Sequence, residues 1–148
     1  MLLPGCVGPK EVYEKFVEFF KKPERYEWVT KINVEESFRW LEAINIDLGK
    51  VIPYPFFIKE DTKYLHIYIE VNFSSPIGVG GLSQGKLNLT IITPEENITK
   101  SYCTAGKSKT YNDFFYFANP KEGEWKLIVK LIGYGKYKIL VEAYEKTS

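Results

Sequence analysis

The chain has 148 residues, of which 45% are hydrophobic, 16% aromatic and 26% charged. That is one domain's length, enough to bury roughly 68–70% of the unfolded surface, and the composition excludes a disordered or low-complexity segment. Twenty Lys and Arg against 19 Asp and Glu leave a net charge of +1, without the basic excess of a general nucleic-acid binder. Two cysteines do not make a disulfide scaffold, and no apolar run reaches the roughly 20 residues of a membrane-spanning helix. Most of the basic residues are Lys, while Gln and His occur once each. Lys/Glu enrichment with few thermolabile side chains is the composition of a hyperthermophile protein.

At the N-terminus, Leu2-Leu3-Pro4-Gly5-Cys6 resembles the lipobox of secreted lipoproteins. The resemblance implies a lipid anchor at Cys6, residues 1–8 as a signal remnant, and an extracellular or cell-surface location. A plain N-terminus, with a cytoplasmic location, and a Cys6–Cys103 disulfide are the alternatives. Three glycosylation sequons, beginning at Asn72, Asn88 and Asn97, favour the extracellular location. Residues 9–22 follow a helical period. Pro9 suits a first turn, Val12, Phe16, Phe19 and Phe20 form one apolar stripe, and Pro23 ends it. This amphipathic helix is expected to dock on the domain and cover an aromatic face of it.

The period then changes to two. Tyr26, Trp28, Thr30, Ile32 and Val34 alternate with Glu27, Val29, Lys31 and Asn33 and predict a half-buried strand. Residues 35–50 allow strand or helix, and Pro53 and Pro55 bound an expected irregular connection. Tyr64 to Phe73 alternates cleanly, with Leu65, Ile67, Ile69, Val71 and Phe73 on one side and Tyr64, His66, Tyr68, Glu70 and Asn72 on the other. The glycines of 76–85 predict a loop. Further strands are expected at 87–94, 98–103, 111–117, 125–131 and 137–143, with Gly133-Tyr134-Gly135 turning the chain between the last two. Many short strands and no interleaved helix give a mainly β fold. The expectation is an antiparallel β-sandwich, jelly-roll or Greek-key-like, with seven to nine strands and one N-terminal helix, forming a single domain over 9–148.

Leu87-Asn88-Leu89-Thr90-Ile91-Ile92-Thr93-Pro94, then Asn119-Pro120-Lys121-Glu122-Gly123-Glu124-Trp125 and Gly135-Lys136-Tyr137, form a pattern that resembles the pre-peptidase C-terminal domain of bacteria and archaea. It shares the Pro-x-x-Gly-x-Trp cadence of the proprotein-convertase P domain. The resemblance spans about 64–145 and implies a non-catalytic, extracellular accessory module. The acidic pair that some relatives use for calcium is absent before Leu87, and Asp61, Asp113 and Glu122 are scattered.

Chemistry finds little support. A triad would have to use His66, and one His with two lone Cys does not complete a zinc site. No catalytic residue, metal or cofactor is therefore expected. Binding has more material. Tyr64, His66, Tyr68, Phe115, Phe117 and Tyr134 are the candidate ligand-contacting residues, because planar side chains on a rigid sheet can hold sugar rings or a peptide. The expected activity is that of a monomeric binding module for a protein or polysaccharide, without nucleic acid and touching a membrane only through Cys6. A calcium-dependent membrane-binding sandwich and a structural or assembly domain are the alternatives.

Overall fold

In the computed structural model the described residues are 24–40, 50–74, 84–105 and 107–147. The expected helix at 9–22 and the anchor at Cys6 lie outside them. Seven strands follow in chain order: β1 (Tyr26–Trp40), β2 (Lys50–Ile58), β3 (Tyr64–Phe73), β4 (Gln84–Ile92), β5 (Asn97–Ala105), β6 (Lys109–Ala118) and β7 (Gly123–Lys146). All pairings are antiparallel and join into one nearly barrel-like sheet. The mainly β antiparallel expectation holds.

The 24-residue β7 organises the sheet. Its second half pairs with β1 on one side and β3 on the other, and β6 lies beyond β3. Its first half pairs with β2 and β4, and β5 lies beyond β4. The sheet folds over where β7 passes Gly133 (φ 103°) and Gly135 (φ 157°). The Gly133-Tyr134-Gly135 segment is therefore a bend inside one continuous strand, correcting the expected turn between two strands. The pairings of β1 and β3 with β7 end, and those of β2 and β4 begin, at this same level of β7.

Two other departures have local causes. Residues 50–58 form an edge strand although they contain Pro53 and Pro55, since β2 pairs only with β7 and an edge tolerates residues without an N–H. A bulge at Lys31 shifts the β1 register between Thr30 and Ile32. Tyr26, Trp28 and Thr30 thus share the outer side, while Ile32 turns into the core.

The core fills the space between the halves. Leu65, Ile67, Ile69, Val71 and Phe73 from β3 meet Leu87, Leu89 and Ile91 from β4 and alternate residues of β7. Aromatic contacts cross the fold: Trp125 lies 5.2 Å from Phe117 and 6.1 Å from Phe56 between ring centroids. The Trp125 indole N–H donates to the Lys121 carbonyl at 2.8 Å, so the large ring is buried with its donor satisfied.

Two buried phenols are satisfied by polar partners. Tyr102 donates to Asp113 at 2.8 Å, and the Tyr54 and Tyr137 hydroxyls are 2.6 Å apart. Burial first, then these neighbours, pushes both the Tyr102 and Tyr137 phenols well above the ordinary tyrosine range. A raised native pKa means that the native state keeps its proton where the unfolded chain loses it. The associated stability is complete below about pH 10 and falls above it, by about 1.4 kcal/mol per pH unit for each phenol. Between pH 10 and 11 the Tyr102→Phe/Tyr137→Phe double variant should lose about 2 kcal/mol less than the wild type in urea unfolding. Parallel losses would show that these phenols do not set the alkaline limit.

Candidate functional site

The outer face of the half built from β1, β7, β3 and β6 carries most of the exposed large rings. Register assigns them to rows running across the strands. Trp28, Tyr144 and Tyr64 face one another in the first row, and Thr30, Glu142, His66 and Tyr116 form the second. Asn33, Leu140, Tyr68 and Phe114 form the third. Successive rows are about 7 Å apart, two residues along a strand.

The rings are held by one another. Tyr26 stacks on Tyr144 at 5.5 Å, Tyr144 on Tyr64 at 6.0 Å, and Tyr64 on Tyr116 at 5.8 Å. These four tyrosines come from four different positions on β1, β7, β3 and β6, and the Lys63 ammonium closes the stack 4.3 Å above the Tyr26 ring. Trp28 lies 4.4 Å from His66 and 5.1 Å from Tyr144. His66 meets Phe114 edge-on at 4.9 Å on its other side. Trp28 is 45% exposed, Tyr64 38%, Phe114 55% and Tyr116 53%. These rings adjoin one another on one face instead of being scattered singly over the surface. Ring–ring contacts have already removed much of the side-chain freedom that binding would otherwise have to remove.

Polar groups border the rings. Tyr68 lies 2.8 Å from the Asn112 side-chain oxygen and 3.1 Å from a Glu70 carboxylate oxygen. Burial first, and then the Glu70 carboxylate, raises the Tyr68 pKa, keeping its phenol protonated as a donor. Beyond it, Glu35, Lys138, Glu70 and Asn112 form the fourth row, and Ser37, Lys136, Asn72 and Thr110 the fifth. Glu35, Glu70, Asn72, Lys136, Tyr137 and Lys138 line a depression of about 270 Å³ there.

The residues chosen from sequence divide. Tyr64, His66 and Tyr68 share this outer face. Phe115 and Phe117 do not: they pair in register with buried Ile67 and Leu65 and pack against the core. Their neighbours Phe114 and Tyr116 take the outward positions instead. Tyr134 sits at the bend of β7, with the Arg39 guanidinium 5.5 Å from its ring, ten residues or about 33 Å of strand from Tyr144. Trp28, Tyr26 and Tyr144 belong to the surface and were absent from the sequence-based set. Among the described residues no group of three or more His, Cys, Asp or Glu could hold a metal ion, and Cys103 is exposed. No helix among them is long and apolar enough to cross a membrane.

No family model matches the chain, and no curated protein matches it either. Solved structures give distant likenesses. One is a family GH115 4-O-methyl-alpha-glucuronidase with specificity for decorated arabinogalactans (14% identity, TM-score 0.41, 75% of this chain and 14% of that one). Another is the VP2 subviral particle of infectious bursal disease virus (12% identity, TM-score 0.37, 84% of this chain and 38% of that one). A third is a family 16 carbohydrate-binding module (12% identity, TM-score 0.29, 67% of this chain and 70% of that one). The chain thus spans 14% and 38% of the first two. At such scores these likenesses carry no weight for function.

Proposed function

We propose that this chain is a non-catalytic module that binds polysaccharide on the outer face of the β1–β7–β3–β6 half. We read the fold as a jelly roll in which β7 supplies two strands: counted twice, it gives four-stranded orders β1-β7-β3-β6 and β2-β7-β4-β5. The observation that carries the reading is the exposed aromatic surface of Trp28, Tyr64, Phe114 and Tyr116, already fixed by ring contacts and bordered by Tyr68, Glu70 and Asn112. Sugar rings offer apolar C–H faces for the aromatic residues and hydroxyl groups for the polar border. A protein partner would find the same rings, but the lined depression beside them suits a unit the size of one sugar. A surface position for such a module, outside the cell, belongs to the same proposal.

The test is affinity electrophoresis and calorimetry against soluble xylan, arabinogalactan, mixed-linkage β-glucan and polygalacturonate. At least one should bind the wild type. Trp28→Ala and Tyr116→Ala should each weaken that binding by about tenfold or more, an effect of about 1.4 kcal/mol. Both side chains are exposed, so thermal melting should move little. Binding by none of the four, or equal binding by both variants, would overturn the proposal.

A further inference from the structure

The depression at the end of the aromatic rows has a charge arrangement that the rings do not explain. Lys138 lies between Glu35 on β1 and Glu70 on β3, directly opposite both in register. Acids therefore stand across from it on both neighbouring strands. One row further, Lys136 faces Ser37 and Asn72, which are neutral. Among the described residues neither lysine makes an ion pair. Lys136 is thus a cation on a rigid central strand with no acid across from it on either side. It lines the same hollow as Glu35, Glu70 and Asn72.

The polar border is also short of protons. The Tyr68 hydroxyl has one hydrogen and two nearby acceptors, the Glu70 carboxylate at 3.1 Å and the Asn112 oxygen at 2.8 Å. It can give a full hydrogen bond to only one of them, leaving acceptor capacity beside the hollow for a hydroxyl donor. At about 270 Å³ the hollow lies below the range of about 300–1,000 Å³ typical of drug-sized ligands, which is room for one sugar ring and not for a length of chain.

Building on the proposed polysaccharide reading, we infer that this depression is a subsite for one acidic sugar unit, whose carboxylate meets Lys136 and whose hydroxyls donate to Glu70. The aromatic rows hold the neighbouring units, so the subsite selects uronate-bearing polysaccharide over neutral polysaccharide.

The probes are polygalacturonate and neutral xylan, each titrated into the wild type, Lys136→Gln, Glu70→Gln and Trp28→Ala. Polygalacturonate should bind the wild type more tightly than xylan and should weaken as NaCl is raised, since salt screens an exposed charge pair. Lys136→Gln should reduce polygalacturonate affinity about 10-fold or more, as expected for losing a hydrogen bond to a charged group, and leave xylan within about twofold. Glu70→Gln should weaken polygalacturonate without removing its preference over xylan. Equal affinity for both polymers, or an equal loss for both in Lys136→Gln, would overturn the subsite and leave the aromatic surface standing. Trp28→Ala without effect on either polymer would overturn the surface itself.

Discussion

Replacing Gly135 with alanine should lower the unfolding free energy by about 3–5 kcal/mol, the range of the most damaging single substitutions. A Cβ at this position would sit 2.2 Å from the Asn72 carbonyl oxygen and 3.0 Å from the Phe73 Cα. Those atoms belong to the backbone of β3, which is hydrogen-bonded to both β7 and β6. No rotamer change can relieve the clash, so the central strands must part where the sheet folds over. The comparison is Gly123→Ala. Its φ is also positive, at 136°, but the added Cβ meets only the Pro94 ring, at 3.3 Å. That change should cost about 1–2 kcal/mol, the penalty for a left-handed alanine alone. Urea unfolding of both variants decides the point. Equal losses would mean that Gly135 serves only the backbone angle and that the close approach of β7 to β3 is unimportant.

The second large effect concerns the buried ion pair of Lys31 and Glu145. The bulge on β1 leaves Lys31 without a cross-strand partner and lets its ammonium reach the Glu145 carboxylate, whose side chain is 5% exposed. Removing one charge strands the other in a medium that solvates it poorly. Lys31→Met should therefore cost about 3–5 kcal/mol, and Glu145→Gln should be destabilising as well. Removing both charges in Lys31→Met/Glu145→Met should recover most of the loss, because the pair itself contributes little net stability against apolar residues of similar size. A double-mutant cycle by urea unfolding measures this. Additive losses would show that the two side chains do not act as a pair.

The sequence revealed β3, β4 and both halves of β7 because each alternates strictly and buries one side. It concealed what depends on partners. Pro53 and Pro55 argue against a strand until β2 is known to be an edge. Gly133-Tyr134-Gly135 has the composition of a hairpin turn, and only the pairing of β1 through β4 along both sides of β7 shows that the strand continues. In β1 the alternation runs unbroken through Lys31, so nothing in the pattern announces the bulge that turns Trp28 outward and Ile32 inward.

The aromatic surface was legible to the same depth. Tyr64, His66 and Tyr68 follow from one alternating strand. In β6 the run Phe114-Phe115-Tyr116-Phe117 divides into two pairs, but its hydrophobicity does not say which pair is core. Asp113 misleads here, since it shares its side with Phe115 and Phe117. An acid on the inner series is tolerated because the Tyr102 hydroxyl donates to it and Lys100 lies 4.0 Å away. Register with Ile67 and Leu65 resolves the choice, and register is a tertiary property. Tyr26, Trp28 and Tyr144 join the surface for the same reason: their strands lie far apart in sequence and meet only in the folded sheet.

The most direct measurement is a backbone-amide NMR titration with a xylo-oligosaccharide and an oligogalacturonide. Shift changes should concentrate in residues 26–30, 64–70, 112–116 and 136–144, the outer rows of β1, β3, β6 and β7. Changes confined to β2, β4 and β5, or no change with either sugar, would contradict a polysaccharide-binding face on this half of the sheet.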